Sequence, residues 1–377
     1  MKIAIIRQRY NPYGGAERFV ERAMAALRSR QAVELSIITR KWPGGEQRAI
    51  ECTPFYLGSL WRDWGFARCV CKRLKDENFD LVQSHERLAC CDVYRAGDGV
   101  HAEWLRQRGR VQTSWQRFTT RLNPYHRYVL AAERKMFLSH RLRAVICISE
   151  LVKSDVLRHF PVDPAKLHVI YNGVDLQHFR PNALTEESRT CRATLHLAPT
   201  DRVLLFVGSG FERKGLRTAI EVLAQLPADV HLVVVGKDKH VERYRQQAQT
   251  LGVASRCHFV GGQRDVRPWY GLANALIFPT LYEPFGNVVL EAMASGLPVA
   301  TTPTAGGAEL VQEGVNGIVA DALDVDRFVA GLTRLLQPTV LAHATREARA
   351  TAERYTWEAM TARMVALYEQ LLAADGV

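Results

Sequence analysis

The sequence predicts an α/β chain built as two doubly wound domains, each around a parallel sheet, facing a cleft. Three observations carry this. The chain has 377 residues, enough for two hydrophobic cores. Short apolar runs alternate with helix-length amphipathic segments, the rhythm of right-handed strand–helix–strand crossovers. That rhythm stops over 181–188, a linker without apolar periodicity, and then restarts. The domains are therefore expected at 1–183 and 184–355, with a last helix in 356–377.

Lys2-Ile-Ala-Ile-Ile6 reads as the first strand, followed by a glycine loop and an amphipathic helix over 16–29. Leu35-Ser-Ile-Ile-Thr39 is the second. A helix over 65–78 leads into Asp80-Leu-Val-Gln83, and Asp92-Val-Tyr-Arg-Ala96 and Ala144-Val-Ile-Cys-Ile148 follow as strands. Tyr171-Asn-Gly-Val-Asp175 has turn chemistry. The second series begins with Val203-Leu-Leu-Phe-Val207 and a helix over 215–226. It continues through His231-Leu-Val-Val-Val235, Cys257-His-Phe-Val260, Ala275-Leu-Ile-Phe278 and Pro298-Val-Ala-Thr301. A helix over 357–373 closes the chain.

Apolar residues make up 47% and charged residues 24%, ordinary for a globular protein. The apolar run at the N-terminus is too short for a signal peptide, and no stretch has the length of a membrane span. A cytoplasmic protein is expected. Eight cysteines show neither zinc spacing nor a secreted framework. Cys69 and Cys71 are separated by only one residue and Cys90 and Cys91 are adjacent, so reduced thiols are the simplest reading. No metal site is expected, because no cluster has ligand spacing and no Asp-x-Asp motif occurs.

The net charge of +11 is concentrated. Between Trp104 and Arg143 stand nine arginines and one lysine against a single acid, Glu133, with Trp115, Phe118 and Tyr125 among the interleaved aromatics. Such a segment grips an anionic surface, whether phospholipid headgroups or nucleic acid. A solvated helical face is the competing account.

The segment Glu283-Pro-Phe-Gly-Asn-Val-Val-Leu-Glu291 carries the most chemistry. It follows a strand, breaks at Pro284 and Gly286, and restarts as a helix with Asn287 as expected N-cap and a Gly296-Leu-Pro298 exit. A helix start presents free N–H groups and a positive dipole end, a seat for phosphate. Glu283 and Glu291 then stand on either side of it, suiting a sugar, a diphosphate and a ribose in turn. In Gly208-Ser-Gly-Phe-Glu-Arg213-Lys214-Gly215, a strand ends in a glycine loop and two cations precede a helix. A guanidinium fork beside an ammonium neutralises a leaving diphosphate. Gly14-Gly15 opens the helix after the first strand, without the Gly-x-Gly-x-x-Gly spacing of nicotinamide enzymes.

Together these motifs resemble the Glu-x7-Glu signature and Arg-Lys pair of the retaining family 4 glycosyltransferases, which have two Rossmann-like domains (the GT-B fold). The resemblance covers nearly the whole chain. It implies that Arg213 and Lys214 hold the donor diphosphate, that Glu283 orients the sugar hydroxyls and that Glu291 binds the ribose. It further implies that Gly14, Gly15, Gly208 and the Phe285-Gly286-Asn287-Val288 backbone approach sugar and phosphate, and that Arg264 holds the base through its backbone. In Arg95-Ala-Gly-Asp98-Gly-Val-His101 the family has a histidine on the donor sugar. Here Asp98 occupies that place and His101 follows, a departure that leaves open which of them contacts the sugar. A turn aspartate and a surface histidine are the bland alternative. His85, at the end of the preceding strand, is a further candidate for the acceptor.

The function implied is metal-independent, retaining transfer from a UDP-sugar, UDP-glucose foremost, with no cofactor. Asp98-Gly-Val-His-Ala-Glu-Trp-Leu-Arg-Gln-Arg-Gly109 and the 208–215 loop resemble the lipopolysaccharide core glucosyltransferase type. The acceptor implied is a lipid-linked saccharide, the inner-core heptose, met at the anionic inner leaflet through residues 104–143. Two alternatives stand beside this. A UDP-sugar epimerase on the same fold leaves the Arg-Lys pair without a task. A nucleic-acid-binding module leaves both sugar-site motifs unexplained.

Overall fold

The computed structural model describes residues 2–8, 34–41, 48–181 and 185–373. Two compact units emerge, one of residues 1–171 with 357–377 and the other of residues 172–356. The expected helix over 16–29 lies outside the described residues, as do Gly14 and Gly15.

The first unit holds a seven-stranded sheet, all of whose pairings are parallel. Its strands are β1 (Lys2–Ile6), β2 (Glu34–Thr39), β3 (Arg48–Glu51), β4 (Leu81–Ser84), β5 (Val93–Arg95), β6 (Ala144–Cys147) and β7 (Leu167–Val169). They lie in the order β3-β2-β1-β4-β5-β6-β7. The second unit holds β8 (Arg202–Val207), β9 (Val230–Val235), β10 (Cys257–Gly261), β11 (Ala275–Phe278), β12 (Val299–Thr301) and β13 (Gly317–Val319). Their order is β10-β9-β8-β11-β12-β13, again parallel throughout. Both sheets are therefore doubly wound, and their central strands are near-continuous apolar runs because helices cover both faces. Val203, Leu204, Leu205 and Phe206 are all fully buried. Each such side chain withdrawn from water contributes roughly 1.5–3 kcal/mol.

The boundary falls at Tyr171, earlier than the expected 183/184. Residues 172–181 belong to the second unit because its own elements hold them. Val174 pairs with Thr356, and the Arg349 guanidinium donates to the Phe179 carbonyl at 3.0 Å. The helix Trp357–Ala373 lies with the first unit, where Met360, Met364 and Tyr368 join the core of Ile3, Ile37 and Leu81.

The expectation of reduced thiols is overturned for four cysteines. Cys52 is bonded to Cys69 and Cys71 to Cys90, each with Cα atoms 5.8 Å apart, while Cys91, Cys147, Cys191 and Cys257 are free. Neither bridge joins cysteines that are neighbours along the chain. The bridges instead run from the helix Gly58–Asp76 to the chain just after β3 and to the loop after β4. Among the described residues, no helix is long and apolar enough to cross a membrane, and no cluster of His, Cys, Asp and Glu is arranged to hold a metal ion.

Candidate functional site

In the second unit, β8 runs to β9 and β10 on one side while β11 pairs on the other. Ligands of open α/β sheets bind beyond the strand ends at such a reversal. The chain leaving β8 carries Arg213 and Lys214, and the chain leaving β11 carries Glu283. Arg213 and Lys214 sit on a short helix, Phe211–Lys214, rather than in the expected loop. Asp238 fixes its start by accepting the Phe211 N–H at 2.8 Å. The Arg213 carbonyl is held by the Leu281 N–H at 2.8 Å and the Thr280 hydroxyl at 3.0 Å. The two loops are thereby tied backbone to backbone.

The side chains then converge. Arg213 Nη1 donates to Glu283 Oε2 at 2.7 Å and to the Tyr282 carbonyl at 3.2 Å, and Lys214 Nζ reaches the same Oε2 at 3.3 Å. Lys214 also stands 4.8 Å over the Phe278 ring. The carboxylate is 16% exposed, Lys214 12% and Arg213 35%, so one edge of the group meets solvent. Burial pushes the Glu283 pKa up, but Lys214 and Arg213 outweigh it and hold the carboxyl below its ordinary range. It is an anion at neutral pH, and so does not serve as a proton donor there.

The helix after Glu283 spans Asn287–Ala294, with left-handed Gly286 at the N-cap position (φ 82°) instead of the expected Asn287. A β-carbon on Gly286 would meet Phe278 Cε1 at 3.1 Å and Glu283 Cγ at 3.2 Å, so glycine suits both the turn and the close packing. Asn287 is the first helical residue, and its side-chain oxygen accepts from Asn172 Nδ2 at 2.7 Å. The first N–H groups of this helix, including those of Asn287 and Val288, have no intrahelical acceptor. On its far side, Tyr270 donates its hydroxyl to Glu291 Oε2 at 3.0 Å. Burial first, and the Glu291 charge next, push the Tyr270 phenol well up, so it stays a donor. Phe285 is buried, and Arg264 is exposed in the loop after β10.

In the first unit, Asp98 lies exposed in the turn after β5, 3.7 Å from Arg87. His101 opens the helix His101–Gly109, where its N–H donates to Glu133 at 2.9 Å and its Nε2 meets His126 Nδ1 at 3.0 Å. Burial, then Arg87, then His126 lower its pKa to about 3, so the ring is neutral in physiological conditions. It is not the surface histidine of the bland alternative. His85 is buried and 3.2 Å from Gln83 Nε2, inside the unit rather than presented on its surface.

Sequence reasoning missed Tyr270, Asp238, Arg87 and His126. The lone acid of the basic segment was a readable signal. Glu133 is buried and bonded to Arg87 Nε at 2.9 Å, so it anchors its helix internally instead of balancing the surface charge.

Two family models match, together spanning most of the chain. Residues 13–178 match "Glycosyltransferase Family 4" and residues 188–352 match "Glycosyl transferases group 1". The lipopolysaccharide glucosyltransferase WaaG of Escherichia coli K12 is 28% identical over 326 residues, 85% of either chain. The lipopolysaccharide core biosynthesis glycosyltransferase LpsE of Rhizobium meliloti is 32% identical over 48% of this chain and 53% of its own. The D-inositol 3-phosphate glycosyltransferase of Mycobacterium marinum is 30% identical over 56% of this chain and 46% of its own. The crystal structure of WaaG superposes with a TM-score of 0.82 at 25% identity, over 97% of this chain and 99% of that one. A structure of Anabaena HepE with UDP and glucose gives 0.74 at 20% identity over 98% and 100%, a likeness of fold.

Proposed function

The chain belongs to the family 4, group 1 glycosyltransferases, and on that premise we propose that it transfers a hexose, glucose foremost, from a UDP-sugar to a lipid-linked saccharide. The convergence of Arg213 and Lys214 on Glu283 at the strand reversal is the observation that carries this reading. The likeness to WaaG and LpsE favours a heptose of the lipopolysaccharide inner core as acceptor.

In this reading the C1–oxygen bond to the diphosphate breaks while the acceptor oxygen bonds to C1 on the same face. The acceptor proton passes to the departing phosphate oxygen, so configuration is retained without a glycosyl-enzyme. Arg213, Lys214 and the start of the helix Asn287–Ala294 stabilise the charge that builds on the diphosphate, which replaces a divalent metal. Ionised Glu283 accepts hydrogen bonds from the sugar hydroxyls, and Glu291, oriented by Tyr270, accepts from the ribose.

The same reading places the chain in the cytoplasm, on the inner face of the membrane. The helix Ser114–Leu122 has no buried residue, and Trp115, Phe118 and Leu122 form an exposed apolar stripe at helical spacing beside arginines. Such a helix lies in an anionic interface.

Incubation with a panel of UDP-sugars and truncated lipopolysaccharide, followed by UDP release and product mass, tests the transfer. No UDP release with any donor would sink it. Anomeric coupling in the product tests retention, and unchanged rates in chelator test independence of metal. Sedimentation with phosphatidylglycerol vesicles tests the membrane contact. Equal binding by Trp115→Ser/Phe118→Ser/Leu122→Ser and the parent chain would remove it.

A further inference from the structure

The helices His101–Gly109, Ser114–Leu122 and Pro124–Phe137 line an open, solvent-facing cavity of about 690 Å³ within the first unit. Five arginines line it (106, 110, 117, 121 and 127) and no acidic residue does. The space far exceeds a single phosphate and is of the size that takes a small organic ligand. Arg110 donates to Gln107 Oε1 at 3.3 Å, and the five guanidinia differ in how far they are engaged. Arg106 is committed to Glu103, but Arg117 spends only Nε, on the Gln112 carbonyl at 3.1 Å. The side chains of Arg121 and Arg127 have neither an ion pair nor a hydrogen bond among the described residues. Like charges gathered in a concave site repel one another and focus a positive potential, an arrangement that an anion relieves.

The helix Ser114–Leu122 divides its surface between two tasks. Arg117, Thr120 and Arg121 line the cavity, whereas Trp115, Phe118 and Leu122 do not and stand exposed. The cavity is thus separate from the apolar stripe that suits a bilayer. Its lining is mixed, with Leu105 and Leu130 as well as Thr120 and Gln112, as a sugar with apolar and hydroxylated faces requires. Its wall includes His126, bonded to His101 at the end of the Asp98 turn.

We propose that this cavity is a binding site for a saccharide bearing two anionic groups, phosphomonoesters or sugar-acid carboxylates, held by the arginine forks that line it. The proposal rests on the transferase reading only in taking that saccharide to be part of the acceptor.

The test is calorimetric titration of the full chain at about 0.15 M salt, where long-range surface attraction is screened. D-glucose 1,6-bisphosphate, D-glucose 6-phosphate and inorganic phosphate are the probes. One bisphosphate is expected to bind per chain, about tenfold or more tighter than the monophosphate, because a second charge-assisted contact is added. Arg121→Gln/Arg127→Gln should weaken it about tenfold or more, with an unchanged circular-dichroism melt, while Trp115→Ser/Phe118→Ser/Leu122→Ser leaves it unaltered. Equal affinity for inorganic phosphate overturns the proposal, as does a double arginine variant that binds the bisphosphate like the parent. Loss of vesicle sedimentation by that variant with bisphosphate binding intact also overturns it, assigning these arginines to lipid headgroups. Because the readout is equilibrium binding, a chain that releases no UDP leaves a positive result standing. A chain that transfers sugar yet binds no bisphosphate overturns the site alone.

Discussion

The side chain of Lys214 fills the space that a β-carbon on residue 208 would take, its Cδ and Cε lying 2.6 Å from that position. Gly208 has φ of 136°, a conformation L side chains rarely adopt. The glycine after β8 therefore serves two ends, turning the chain and admitting the lysine stem toward Glu283. Gly208→Ala should displace Nζ by an ångström or more and lower kcat/KM roughly 100-fold. UDP-release kinetics check this. A variant with parental kinetics would show that Lys214 finds its position by another route.

Glu283 gives an acid-dependent stability. Its folded pKa is lowered, so its share is fully present above the ordinary glutamate value, about 4.3, and disappears as pH falls through the folded value. Glu283→Gln removes that share at neutral pH, about 1–3 kcal/mol once partial exposure of Arg213 is allowed for. Melting temperatures from pH 7 to 3 should converge for the two chains at the acid end. Curves that stay parallel would assign the acid loss to other groups.

The strands readable in sequence were those with uninterrupted apolar runs, such as Val203–Val207 and Ala144–Cys147. β3 went unread because Arg48–Glu51 is half charged, and so did β7 and β13, each three residues long like the recognised β5 and β12. For them, pairing with a neighbouring strand outweighs local propensity. The identities of Arg213, Lys214 and Glu283 were legible from glycine loops next to strand ends. Their contact was not, because it depends on which two loops the strand order brings together, a property of the sheet and not of either loop. Tyr270 was hidden for another reason. In Pro-Trp-Tyr it has the pattern of packing aromatics, and only its hydroxyl distinguishes its role.

That hydroxyl carries the third prediction. Tyr270 is 1% exposed, and its bond to Glu291 orients the carboxylate proposed to hold the ribose. Tyr270→Phe keeps the ring and loses one hydrogen bond to a charged group, costing about 1.5–3 kcal/mol of stability. A ribose contact is the same in ground and transition states, so KM for the donor should rise severalfold with kcat nearly constant. A fall in kcat at unchanged KM would instead tie Glu291 to the reacting atoms.

The His101–His126 pair predicts a second acid sensitivity, at higher pH. His101 has its pKa lowered to about 3 by burial, by Arg87 and by His126. The unfolded chain takes up this proton near pH 6.5 and the folded chain does not, so the unfolded state binds more protons between those values. Stability must therefore rise with pH across that window and fall on acidification. The slope approaches 1.4 kcal/mol per pH unit for a fully resisted proton, and partial exposure reduces it to about half. His101→Asn cannot titrate, so its loss of melting temperature between pH 7 and 5 should be smaller than that of the parent chain. Equal losses would mean that another histidine governs that range.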